Sequence, residues 1–152
     1  MSTSIVDTID HLIRICRDGE EGYRFAGESV NSGDLKSLFH EYAKQRAEFV
    51  DALQKESIAF GKKVMTTEGS TAGAFHRGIM RIREAIASHD EYELLEECSR
   101  GEEQAVSAYH DAAKAQGLTD ALRNIVAEQY AQIVCAHRRI KELQAALAPT
   151  RH

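Results

Sequence analysis

The chain has 152 residues, of which 43% are hydrophobic and 28% charged, and its formal net charge is -5. This is enough chain for one domain with a hydrophobic core, predicted over residues 1–152. The acidic balance argues against nucleic acid as a partner, and no apolar run approaches the ~20 residues of a membrane span. The three cysteines are an odd number, which predicts reduced thiols in the cytoplasm rather than a disulfide framework.

Apolar residues recur in steps of three and four, which is the period of amphipathic helices. The first helix is predicted over about residues 4–31 and the second over about 34–60, where Asp34 is placed to cap its first turn. The turn between them is so short that the two helices must form an antiparallel hairpin.

The second half of the chain is predicted to repeat this hairpin after a long connection. A short helix over about residues 71–88 lies within that connection, and longer helices follow over about 90–116 and 119–148. Asp90 and Glu93 form a capping-box-like start, and Thr119 is placed to cap the last helix. No segment alternates with period two, so the fold class is all-α. Two hairpins joined by a long crossover predict a ferritin-like four-helix bundle.

One short pattern occurs twice and interrupts the apolar stripes of two helices. Residues 16–21 and 98–103 both read Cys-x-x-Gly-Glu-Glu. Each copy places a glutamate, Glu20 or Glu102, near the middle of its helix and on its apolar face. The repeat therefore predicts two carboxylates inside a shared core.

Polar residues also interrupt the stripes of the other two long helices. Aligning Gln45 with Gln129 aligns Glu48 with Gln132 as well. Folding each hairpin about its turn brings these positions to about the height of the two glutamates. We therefore predict a layer of Glu and Gln side chains across the middle of the bundle.

Two interpretations of this layer remain open, because a buried carboxylate is costly without a compensating charge, proton or metal. In the favoured one the layer is structural: the amides of Gln45 and Gln129 donate to the glutamates, and Arg46 neutralises part of the charge. The alternative is an iron or manganese site, for which the candidate ligands are Glu20, Glu102, Glu48, Gln45 and Gln129.

The ligand pattern of di-iron bundles is incomplete in this sequence. Those proteins take a Glu-x-x-His pair from each of two helices. The corresponding places here read Gln45-x-x-Glu48 and Gln129-x-x-Gln132, and amide oxygens are weak ligands for iron or manganese. His137 is the nearest imidazole on the last helix, but it lies two turns from Gln129.

The other polar and sulfur-bearing residues are expected to serve packing. Cys16 and Cys98 are expected to be small core residues. The tyrosines on the core stripes are expected to pack with hydrogen-bonded hydroxyls; they are Tyr23, Tyr42 and Tyr109. The pair His76-Arg77 is expected at the surface or on a lid, and contact with a partner is its alternative role.

Four short stretches together match one protein family. They are Cys16 to Tyr23, Leu38-Phe39 with Gln45-Arg46-Ala47, Ala74 to Gly78, and Cys98 with Gly101-Glu102. With these stretches the chain resembles, from about Ile9 to Leu147, a bacterial family of ferritin-like four-helix-bundle proteins of unknown function. The resemblance implies the fold and a bacterial cytoplasmic setting but no established activity. Ferritin-like proteins suggest metal or redox work by analogy only.

The sequence therefore predicts a non-catalytic structural or stress-associated protein that works as a homo-oligomer, with a dimer favoured. Apolar residues left over on the short crossover helix support this, because such a face often packs against a second copy; they are Ile79, Met80 and Ile86. The alternative is a ferroxidase-like protein that binds ferrous iron and oxidises it with dioxygen.

Overall fold

The computed structural model describes residues 5–59 and 72–147, and the side chains of residues 5–58 and 77–147. Five helices make up these ranges: α1 Ile5–Ser29, α2 Gly33–Ala59, α3 Ala72–Ala87, α4 Glu91–Ala113 and α5 Asp120–Leu147. No strand occurs within them. The all-α prediction is confirmed, with helix bounds that agree to within a few residues; the predicted ends at 4, 60, 71 and 148 lie outside the described residues. No helix in the two ranges is long and apolar enough to cross a membrane.

Side-chain caps begin three of these helices. The Asp90 carboxylate and the Thr119 hydroxyl each accept a hydrogen bond from the backbone amide three residues on, at 3.0 and 3.1 Å, as the sequence predicted. At α2 the cap is instead Ser32, whose hydroxyl accepts from the Leu35 amide at 3.3 Å. The predicted cap, Asp34, lies inside the first turn of α2, where its negative charge still interacts favourably with the helix dipole.

The helices α1 and α2 form an antiparallel hairpin. A Cβ atom at Gly27 would lie 3.1 Å from the His40 ring, and one at Gly19 would lie 3.2 Å from the Arg46 guanidinium. The earlier α1 position therefore contacts the later α2 position, which makes the two helices antiparallel. Glycine at both positions allows α2 side chains to lie directly against the α1 backbone.

The helices α4 and α5 form a second antiparallel hairpin. The Ser99 hydroxyl lies 3.2 Å from His137, and the Tyr109 hydroxyl lies 2.6 Å from Gln129. Gly117 makes the turn between the helices with a φ of 90°, a left-handed conformation that glycine adopts without a steric penalty.

The two hairpins pack on each other through α1 with α4 and through α2 with α5, and α3 lies against α1 and α4. Cys16 contacts Tyr109, and Tyr23 contacts Glu102. These pairs make α1 and α4 antiparallel as well. The middles of the four long helices therefore meet inside the bundle.

Candidate functional site

Polar side chains separate two hydrophobic clusters in the interior. On each of three helices, one cluster lies before a polar residue and the other lies after it. These residues are Glu20 on α1, Arg46 on α2 and Glu102 on α4. Glu102 is 1% exposed and Arg46 is 2% exposed. Gln129 is also buried, whereas Gln45 is half-buried and Glu48 is exposed. Arg46 is thus the α2 residue that brings a charge into this layer.

An ion pair lies at the centre of this layer. The Arg46 Nη2 donates to Glu102 Oε2 at 2.7 Å, and the side chains are only 3% and 1% exposed. Burial alone would lower the pKa of Arg46, but the neighbouring charges, led by Glu102, outweigh it and raise that pKa above its usual value. The Arg46 guanidinium therefore keeps its charge, and the Glu102 carboxylate pairs with it.

The two oxygens of the Glu102 carboxylate have different surroundings. Oε2 accepts the bond from Arg46 and a second bond from the Tyr23 hydroxyl at 2.5 Å. Burial, reinforced by the Glu102 charge, raises the pKa of Tyr23 well above its usual value, so its hydroxyl stays protonated as a donor. Oε1 is buried and has no hydrogen-bond partner among the described residues.

The network around this ion pair reaches all four long helices. Arg46 Nε donates to Gln45 Oε1 at 3.1 Å, and Gln45 Nε2 donates to Gln132 Oε1 on α5 at 3.4 Å. Because Tyr23 lies on α1 and Glu102 on α4, one connected set of bonds spans the bundle.

A second network spans the same four helices nearer the start of α1. The Tyr109 hydroxyl donates to Gln129 Oε1 at 2.6 Å, and Gln129 Nε2 donates to the Phe49 carbonyl at 3.2 Å. Cys16 Sγ lies 3.1 Å from the Tyr109 oxygen. Since the hydroxyl proton goes to Gln129, the Cys16 thiol is the donor in this contact.

Glu20 lies at the edge of the polar layer. Its carboxylate accepts from Arg17 at 2.9 Å and from Arg24 at 2.5 Å, both on α1. The prediction that the Gln45 and Gln129 amides donate to the glutamates is therefore wrong. Glu20 accepts from arginines of its own helix, and Glu102 accepts from Arg46 and Tyr23.

Several candidate metal ligands of this layer are bonded within the protein or lie at its surface. The Glu102 carboxylate is already held by the Arg46 cation, Glu48 is exposed, and both amide atoms of Gln129 are bonded within the protein. In the described ranges no group of three or more His, Cys, Asp or Glu side chains is placed to hold a metal ion. The iron or manganese site stays a prediction.

A cavity of about 150 Å³ opens beside Glu102, between α1, α3 and α4. Tyr23, Arg46 and Glu102 line it together with Cys98. At the cavity's edge, Glu97 pairs with Arg100 at 2.7 Å and with Arg81 at 3.9 Å. No pattern in the sequence predicts this cavity.

Ser99, His137 and Glu103 form a cluster that resembles a nucleophile with its base and acid. The Ser99 hydroxyl lies 3.2 Å from His137 Nε2, but Glu103 approaches the same nitrogen, at 3.7 Å. In a catalytic triad the acid holds the other ring nitrogen. The geometry therefore does not support acyl-transfer chemistry here.

The residues that the sequence assigned to packing or to the surface are mostly found there. Cys16 and Cys98 are buried core residues, and Tyr42 packs against Tyr23 with ring centroids 5.3 Å apart. Arg77 is exposed. The side chain of His76 lies outside the described residues.

The family assignment follows from comparison with family models. The model of the family described as domain of unknown function (DUF2383) matches residues 4–115. The chain belongs to this family. The matched range holds α1 to α4 and therefore the Glu102–Arg46 pair, whereas α5 lies beyond it. A search of curated proteins found no match.

The two buried cysteines are expected to be unreactive in the folded protein. Burial raises the pKa of Cys16 to about 11 and that of Cys98 further above its usual value, whereas Cys135 is exposed. The thiolate is the reactive form. Titration with Ellman's reagent at pH 8 should therefore find one fast thiol in the native protein and three in urea. Two or three fast thiols before unfolding would contradict the burial described here.

Proposed function

We propose that the protein is a non-catalytic structural protein, a ferritin-like four-helix bundle whose buried polar layer fixes how its helices pack. The observation that carries this proposal is the Glu102–Arg46 pair. The Glu102 Oε2 is held by a buried guanidinium at 2.7 Å, and a charge compensated in this way favours a structural role over that of a metal ligand or a general base.

The helix directions support the ferritin-like arrangement. Since α2 and α4 are both antiparallel to α1, they run parallel to each other. Because α2 ends the first hairpin and α4 begins the second, their parallel directions require one long crossover between the hairpins. The helix α3 lies in that connection. Bundles with one long crossover are the ferritin-like type.

The polar layer supports a role in specifying the packing. A hydrophobic core alone tolerates helix shifts by one turn, because apolar contacts are not directional. The buried bonds of the two networks together involve all four long helices, so a shift of any of them would leave buried donors and acceptors unpaired. We propose that this is why charged groups are kept in the core.

Metal-dependent unfolding separates this function from the ferroxidase alternative. Thermal unfolding of the wild type should have the same midpoint in EDTA and in excess ferrous or manganous ion under anaerobic conditions. A true site saturated 100-fold would add about 2.7 kcal/mol. That corresponds to a rise of roughly 5–10 °C for a domain of this size.

The matched variants for this experiment are Glu102→Gln and Glu103→Gln, one buried and one exposed. The proposal predicts that metal shifts the midpoint of neither. A metal-dependent rise in the wild type and in Glu103→Gln that is absent in Glu102→Gln would establish the metal site and refute the structural function.

We also propose that the protein is a cytoplasmic homodimer that pairs through the outer face of α3. Of α3 residues 77–87, whose side chains the structure describes, only Ile82 and Ala85 are buried, while Met80 is 43% exposed and Ile79 and Ile86 are half-buried. An apolar face of this kind often packs against a second copy. The three free cysteines support a reducing compartment.

Sedimentation tests the dimer. The wild type should sediment as a dimer at tens of micromolar, and Met80→Glu should shift it towards monomer, because burying the new carboxylate is unfavourable. Ile58 on α2 is 68% exposed, so Ile58→Glu is the matched control and should remain dimeric. A wild type that is monomeric at high micromolar concentration would contradict the proposal.

A further inference from the structure

The cavity beside Glu102 is shaped by glycines on three helices. Gly19 and Gly22 line it from α1, Gly78 from α3 and Gly101 from α4. A Cβ atom at Gly78 or Gly101 would meet no atom within 4 Å. A volume of about 150 Å³ is sufficient for a molecule the size of benzene. The missing side chains therefore leave room for a small ligand.

The cavity is lined by equal numbers of positively and negatively charged side chains. Three guanidinium groups and three carboxylates line it: Arg46, Arg81, Arg100, Asp18, Glu97 and Glu102. Arg46 is paired with Glu102, and the other two arginines are paired with Glu97. A charged ligand would find no free counter-charge in these ion pairs. The electrostatics therefore favour an uncharged ligand.

Apolar walls and one unused acceptor complete the description of the cavity. Ile15, Ile79, Ile82 and Ala105 line it. Glu102 lines it as well, and its Oε1 is buried without a hydrogen-bond partner. Leaving a buried acceptor unpaired is unfavourable, whereas a ligand that donates a hydrogen bond to it removes that cost.

We propose that this cavity binds a small, uncharged, largely apolar molecule with one hydroxyl donor, of the class of simple phenols, with the hydroxyl directed to Glu102. This goes beyond the structural function, since neither the dimer nor the networks require a ligand. The ring would lie against the apolar walls, and the Glu102 carboxylate would select for the donor.

Phenol and toluene are matched probes, because they have nearly the same shape and differ in the donor. Titration of the full-length ¹⁵N-labelled protein should shift the backbone amides of Gly19, Gly22 and Gly101 in two-dimensional NMR spectra. The fitted Kd for phenol should be at least about tenfold lower than that for toluene, since an unpaired buried acceptor costs about this factor or more.

Two variants fill the cavity without touching the ion pair. A Cβ atom at Gly22 would lie 3.8 Å from Ile82 on α3, so Gly22→Leu should narrow the space between α1 and α3 and weaken phenol binding at least tenfold. Gly101→Leu fills the cavity from α4 and serves if Gly22→Leu does not fold. Ser107→Leu, at an exposed position of α4 outside the cavity, is the control and should bind phenol as the wild type does.

Three outcomes would overturn the proposal. The first is that neither probe shifts the cavity glycines, which would mean that the cavity holds water only. The second is that toluene binds as tightly as phenol, which would remove the role of Glu102. The third is unchanged phenol binding in a folded cavity-filling variant, which would place the site elsewhere.

Discussion

The ion pair between Arg46 and Glu102 is the constraint on which the rest of the interior depends. Moving two charges out of water costs several kcal/mol for each ion, and only close geometry and further hydrogen bonds compensate for that cost. Here Tyr23 and Gln45 supply those bonds. Gly19 provides the space, because any side chain there would approach the guanidinium within 3.2 Å.

In the function proposed above, this constraint selects one packing of the four long helices. Arg46 comes from one hairpin and Glu102 from the other, so neither hairpin can bury its charge without its partner. The second network, from Cys16 through Tyr109 to Gln129, fixes the same helices two turns away. The hydrophobic clusters on either side supply the driving force, and the polar bonds select among the packings that it allows.

The sequence predicts the helices well, because periodicity, caps and turn glycines are local signals. It also places Glu102 in the core, since the apolar stripe around it is regular. It does not identify the partners of Glu20 and Arg46, because these depend on side-chain length. An arginine one position away from the stripe still reaches the interior through its long stem. Glu20 is instead satisfied by arginines three positions before it and four after it on its own helix. The cavity needs three helices at once, so no local pattern predicts it.

The most direct test of this account is a double-mutant cycle on the ion pair, measured by urea unfolding of Arg46→Met, Glu102→Gln and the double variant. Each single substitution leaves one partner buried without the other and should lower the free energy of unfolding by about 3–5 kcal/mol. The double variant should lose much less than the sum of the two. Strictly additive losses would show that the two side chains do not depend on each other, and would contradict the central role given to this pair.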